Sequence, residues 1–352
     1  MISFFITLPY IFLFYSLWIL ASLWRPFCTL SLVAVLSNPA AAIRKGQLFV
    51  WTLQYLLLCN DKKWKKDKNK EPNGKVVGSK TIIFVRHGES LWNETFNKGD
   101  RSVRDFVLGF IPNLIKAIAY EWYLWVSGAS GESWFYDSPL SAKGVDQAYS
   151  IQRDFCQNAY LTPKEEAMKQ ICLQKKNSIV VSSNLRRAIA TIAIGLQDRW
   201  AEEKGKDDPI QILTCLQEIS RNPDALSITP AHGIVAAAET DPAFMKEFCE
   251  KHCETKHHYG NKPVNGNGLS RLQEFCQLVF ELDVDNVVAG GHSLWFRSFF
   301  QTYLFSDHVA QKKKIVNGGL VSFTLEKVET ETKEIAYRVD SSSVTVLHRG
   351  FG

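Results

Sequence analysis

Three short runs constrain the fold of this 352-residue chain more than anything else in it: "KTIIFVRH" ending at His87, "NSIVVSS" at 177–183 and "DNVVAGGH" at 285–292. Each is apolar at successive positions, so none has a wet face, and such a run reads as a central strand covered on both sides. Helical apolar spacing follows the second and third in "NLRRAIATIAIGLQDRW" and "SLWFRSFFQTYLF", and recurs in "SAKGVDQAYSIQRDF" and "LSRLQEFCQLVFEL". "GLVSFTLEKV" and "KEIAYRVD" read as late antiparallel strands. Strand then helix, repeated, predicts an α/β domain: a three-layer α/β/α sandwich with a mostly parallel central sheet and helices on both faces.

In such sheets ligands sit at the carboxyl ends of the strands. Here those ends carry Arg86-His87-Gly88, Ser182-Ser183 leading into Arg186-Arg187, and Gly290-Gly291-His292. A convergent cluster of this kind costs folding energy through repulsion and desolvation unless it meets an anion. Phosphate suits it, because arginine offers a planar fork to its oxygens.

The rest of the chain is organised by charge. Residues 1–59 hold no Asp or Glu and only Arg25, Arg44 and Lys45 as cations. Their first 24 residues carry no charge, which exceeds the roughly 20 apolar residues a spanning helix needs. Residues 1–59 are therefore expected to be a hydrophobic membrane-anchor region, with a transmembrane helix near 2–24 and further apolar segments at 26–43 and 46–59. Residues 60–75 read as a Lys-rich linker, with seven lysines against three acids. Lysines beside a span are retained on the cytoplasmic side and attract anionic lipid, so the domain at 76–352 is expected in the cytosol. The net charge of +5 belongs to this junction, which leaves no basic surface for a nucleic-acid partner. Eight cysteines show no compact disulfide framework, and the sequon Asn93-Glu94-Thr95 would set a glycan beside His87 were the domain lumenal.

"VRHGES" with Asn93 three residues after Ser90, "SPLSAKG" at 138–144, "SSNLRRAIAT" at 182–191, Glu218 in "LQEIS" and "GGHS" at 290–293 stand in an order that resembles the histidine phosphatase superfamily. This is the family of cofactor-dependent phosphoglycerate mutases and related phosphatases, and the resemblance spans about residues 78–330. It implies a phosphoglycerate mutase-like fold, with no cofactor or metal needed for a phosphatase. It implies that His87 attacks phosphorus and becomes phosphohistidine, that Arg86 and Arg187 bind the phosphoryl oxygens, and that His292 donates to the same group. Glu218 resembles the proton donor to the leaving oxygen, Asn93 a donor near the phosphate, and Gly88 a residue whose freedom lets the backbone pass close to it. Arg187 is preferred to Arg186 because Arg187-Ala188 and Thr191 meet the family spacing, which leaves Arg186 as a surface residue.

The mutase subgroup carries its acid in a Glu-Arg-His-Tyr-Gly block, whereas this chain has "LQEISRNPDALS", and Ser293 follows the second histidine in place of the usual Gly. These departures favour a membrane-anchored phosphatase acting on a phosphorylated small molecule or lipid. The alternatives are a mutase-like phosphotransferase and a non-catalytic, membrane-tethered binder of phosphorylated ligands. An insertion at about 98–135 contains the apolar stretch 103–127, read either as an interfacial helix or lid, or as a buried helix pair broken at Pro112. Cys249, Cys253 and His257 fall at steps of four along one predicted helical face, without the tight Cys-x-x-Cys pair of zinc sites.

Overall fold

The computed structural model describes residues 22, 24–26, 28–33, 35–64, 71–99, 101–127, 132–201, 208–235 and 245–352. Its centre is an eight-stranded sheet: β1 (Gly74–Arg86), β2 (Ser178–Ser183), β3 (Ile210–Leu213), β4 (Cys253–Glu254), β5 (Asn286–Gly291), β6 (Leu320–Thr330), β7 (Ile335–Val339) and β8 (Thr345–His348). Their order is β4-β3-β2-β5-β1-β6-β7, with β8 also paired to β6. All pairings from β4 to β1 are parallel, and β6 pairs antiparallel with β1, β7 and β8.

The apolar strands are buried on both faces, as their composition requires. Ile82 and Phe84 point into one core layer, with Phe275 of α8 (Gly268–Glu281) and Trp295 and Phe299 of α9 (Ser293–Tyr303). Phe84 stacks on Phe296 at 4.1 Å between ring centroids. Ile83 and Val85 point the other way, into a layer with Ile151 of α4 (Ala142–Ile151), Cys172 of α5 (Pro163–Leu173), Ile189 and Ile192 of α6 (Arg186–Gly195), and Cys249 of α7 (Met245–His252). The chain is thus an α/β fold of three layers with a mostly parallel sheet.

Helix α1 (Pro39–Leu58), inside the region expected to anchor the chain, packs on this domain. Ala41, Leu48, Thr52 and Tyr55 are buried along one side, while Phe49, Val50, Leu53 and Leu57 on the others are exposed. Apolar surface of this extent facing water is unusual for a soluble helix. Among the described residues no single helix is long and apolar enough to cross a membrane; Trp24–Ser37 and Pro39–Leu58 pass that test only together, bent by 114° at their break. Nearly all of the expected span at 2–24 lies outside the described residues, as do Lys65–Lys70 of the linker.

Ahead of the insertion lies α2 (Leu91–Phe96), and within it α3 (Val103–Val126), one 24-residue helix that contains Pro112. Of the two readings of this stretch, the buried pair broken at Pro112 does not form. Only Ala117 and Leu124 of α3 are buried, and Val107, Leu108, Ile111 and Ile115 are exposed. Lys45 of α1 pairs with Glu121 of α3, so the two apolar-faced helices are tied together. A short α10 spans Val309–Lys312. Cys253 begins β4 immediately after α7 ends at His252, so His257 does not share a helical face with Cys249 and the zinc-like spacing has no structural counterpart.

Candidate active site

The carboxyl ends of β1, β2 and β5 meet because these strands are parallel neighbours in register: Arg86 stands opposite Gly291, and Ser182 opposite Gly290. His87 and His292, the next residue along each strand, therefore emerge side by side, with ring centroids 5.0 Å apart. Both imidazoles are buried.

His87 Nδ1 lies 2.5 Å from Gly88 O. A carbonyl only accepts, so Nδ1 carries the proton and Nε2 keeps its lone pair. Consistent with this, Arg187 Nε donates toward His87 Nε2 at 3.4 Å. Burial, and then the charges of Arg187 and Arg86, push the His87 pKa well below the ordinary histidine value. Burial, then Arg187 and the neighbouring His87, push His292 down as well. Both rings are therefore neutral at neutral pH. The Oγ of Ser183 hydrogen-bonds His292 Nε2 at 2.8 Å, while the buried His292 Nδ1 has no hydrogen-bond partner and sits 4.0 Å from Glu218 Oε2. Glu218 Oε1 accepts from the amides of Ile219 and Trp295, the latter in the first turn of α9.

Arg187 is held from behind: Nη1 donates to Asp224 O at 2.6 Å and Nη2 pairs with Asp224 Oδ2 at 3.3 Å. Burial pushes the Asp224 carboxyl up to about 6, against the pull of Arg187. Asp224 is a site residue that sequence reasoning missed; the only signal was its place in "NPDALS", six residues after Glu218. Arg186 is a correction. It is 1 % exposed, not a surface residue, and it binds Glu132, the carbonyls of Ser133 and Asp137, and through its amide Asp137 Oδ1. Asp137 holds a positive φ of 45° while its other carboxylate oxygen accepts from Ile228 N, so it fixes the start of α6.

Gly88 is required for a reason other than backbone freedom. Its φ is not positive, but a Cβ there would stand 2.3 Å from Gly144 O, and a Cβ on Gly144 would stand 1.9 Å from Glu89 O. The two glycines let α4 press against the loop after β1. Gly88 N donates to Thr191 Oγ1 at 3.0 Å, which in turn donates to Arg187 O, so the threonine of the Arg-Ala-x-x-Thr spacing ties the two strand ends together.

Arg86 Nη1 donates to Ile315 O at 2.5 Å, and Arg86 lines a cleft of about 740 Å³ with Asn93, Asn97, Lys314, Asn317 and Arg349 among its walls. Asn317 Nδ2 donates to His87 O, so the cleft meets the histidine at its main chain, and His87, Arg187, Glu218 and His292 are not among its lining residues. None of residues 103–126 lines it. Donor atoms of His87, Glu218 and His292 lie within 4.8 Å of one another, close enough for a metal ion. The guanidinium of Arg187, 3.4 Å from one of those donors, opposes a second cation there and suits an anion.

No family model matches the chain, and no curated protein matches it. Similar solved structures include the mycobacterial glucosyl-3-phosphoglycerate phosphatase, at 15% identity over 75% of this chain and 98% of that one, with a TM-score of 0.34. A phosphoserine phosphatase mutant from Entamoeba histolytica, in complex with phosphoserine, is similar at 15% identity over 74% of this chain and 95% of that one, with a TM-score of 0.33.

Proposed function

We propose that the chain is a phosphatase that hydrolyses phosphomonoesters through a phosphohistidine on His87. One observation carries this reading: a buried imidazole turns its Nε2 to a guanidinium 3.4 Å away, with a carboxyl group within 4.8 Å of both histidines. Neutral Nε2 is the nucleophile, and Arg187, Arg86 and His292 stabilise the charge that develops on the phosphoryl oxygens. Glu218 protonates the leaving oxygen, then takes a proton from the water that hydrolyses the phosphoenzyme. Asn93 binds from the cleft wall. The lining of Arg86, Lys314, Arg349 and three asparagines favours a polar phosphorylated small molecule over a lipid tail.

Hydrolysis rather than transfer to a second substrate is the expected fate of the phosphoryl group, because a polar cleft admits water. Phosphate released in ¹⁸O-water should carry one solvent oxygen, with no label passed to added sugar or acid acceptors. Efficient transfer to an acceptor would make the protein a mutase-like phosphotransferase instead, and tight phosphate binding without turnover would make it a binder.

The reading extends to an N-terminal membrane anchor with the domain on the cytosolic side. The uncharged first 24 residues, the lysines after residue 61 and the exposed apolar sides of α1 and α3 support it. The full-length protein is expected to stay in the membrane pellet through alkaline carbonate extraction; quantitative release would overturn the anchor.

A further inference from the structure

Asp61 lies in the lysine-rich stretch, where an acid reads as solvated, yet it is 2 % exposed. Its Oδ2 accepts from Lys262 Nζ at 2.5 Å and its Oδ1 from Arg271 Nη2 at 2.5 Å. Neither cation has another ion-pair partner among the described residues. Lys262 directs its other two donors at Glu218 O and Ser220 O, each at 2.5 Å. Arg271 Nη1 donates to Gln217 O and, at 3.4 Å, to Cys215 O. Backbone carbonyls on both sides of Glu218, and that of Glu218 itself, are thus held by two buried cations that share one carboxylate.

That carboxylate comes from the chain just after α1. Tyr55 of α1 donates its hydroxyl to Lys262 O, Gly268 N donates to Asp61 O at 3.1 Å, and a Cβ on Gly268 would meet the Trp64 ring at 2.4 Å. Residues 55–64 therefore lie against the same loop that carries Lys262. Burial pushes the Lys262 ammonium down and the Asp61 charge pulls it back up. Without Asp61, two cations would share a buried site uncompensated, and removing one partner of such a pair is strongly destabilising. The loop they hold would have to relax.

Resting on the reading of Glu218 as proton donor, we infer that Asp61, with Tyr55, is a positioning residue: the membrane-proximal segment 55–64 clamps the acid-bearing loop 215–220 through Lys262 and Arg271. The residue touches no reacting atom. It acts by fixing the backbone from which the Glu218 carboxyl reaches the leaving oxygen, and a displacement of about 1 Å there can cost on the order of 10²-fold.

The test uses the full-length protein and two substrates that differ in their need for an acid. β-Glycerophosphate has a poor alkoxide leaving group, whereas p-nitrophenolate leaves without protonation. For Asp61→Asn, kcat/KM on β-glycerophosphate is expected to fall about 30-fold, against less than about 3-fold on p-nitrophenyl phosphate. Tyr55→Phe, which removes no charge, is expected to show the same selectivity at about 3-fold, and it keeps the test open should Asp61→Asn fail to fold. Equal losses on both substrates, or none on either, would overturn the clamp. Amide hydrogen exchange at 217–221 gives a readout independent of turnover: it should quicken in both variants relative to the sheet, and unchanged protection would overturn the clamp. A wild-type protein inactive on both substrates, with exchange quickened as expected, would instead sink the phosphatase reading alone.

Discussion

His87→Ala should lose phosphomonoesterase activity by about 10⁴-fold or more, and with it the acid-labile, alkali-stable phosphoenzyme trapped by rapid quench. The expectation rests on how little else the substitution changes. The backbone of the strand end is held by His87 N on Gly291 O and by Gly88 N on Thr191 Oγ1, neither of which uses the imidazole. Arg187 keeps both contacts to Asp224, so the anion site survives and vanadate or phosphate should still bind. The wild-type ring also leaves a signature in acid stability. Its folded pKa lies well below the ordinary value, so below about pH 6.5 the unfolded chain takes up a proton that the folded chain refuses, and stability falls as pH falls. Alanine removes that term. Between pH 6.5 and the folded pKa of His87, the difference between the two proteins should shift in favour of the variant by about 1.4 kcal/mol per pH unit. A His87→Ala protein that turns over at anything near the wild-type rate would refute the nucleophile.

The parts of this site that were legible in the sequence are those fixed by strand ends. Residues such as Ile82 and Ile83 are apolar at successive positions only because the sheet is covered on both faces, and parallel register then brings Arg86-His87, Ser183 and Gly291-His292 to one edge. What was not legible depends on partners distant in the chain. Arg186 is buried because Glu132 and Asp137, some fifty residues earlier, fold over it, and nothing in its own neighbourhood announces them. Asp224 sits in a turn-like "NPDALS", where an acid is ordinarily solvated, until Arg187 arrives from α6. In α1 the residues that dock, Leu48, Thr52 and Tyr55, have helical spacing, but the helix is apolar nearly all round and the pattern is lost in it. Asp61 is hidden in the same way among lysines. Its two partners come from 262 and 271, so a boundary drawn at residue 76 on charge alone leaves out a buried ion pair.

Arg187 should rank next to His87 in effect, and its role can be separated from simple packing. It touches the nucleophile, it is 1 % exposed, and its guanidinium lies 3.4 Å from His87 Nε2, within reach of the oxygens of a phosphoryl group carried there. Arg187→Ala is expected to lower kcat/KM by about 10³-fold, on the order of 4 kcal/mol, the size found for removing one preorganised donor from a developing oxyanion. Vanadate affinity should fall with it. Part of that loss is the cost of the Asp224 carboxyl left behind: Arg187, ahead of Lys262, restrains its upward shift to about 6, so without the guanidinium the carboxyl is pushed further up. Arg187→Lys restores the charge but not the planar fork, and a lysine cannot hold Asp224 while also meeting two phosphoryl oxygens. Its kcat/KM should therefore stay about 10²-fold below wild type even though its thermal midpoint recovers most of the alanine variant's deficit. Asp224→Asn supplies the complement, since it leaves the guanidinium in place and keeps the carbonyl that accepts from Nη1, so its kcat/KM should remain within about tenfold of wild type. Were Arg187→Lys as active as wild type, or Asp224→Asn as impaired as Arg187→Ala, the guanidinium would be acting through the fold of its loop, and Arg86 and His292 would have to carry the phosphoryl charge without it.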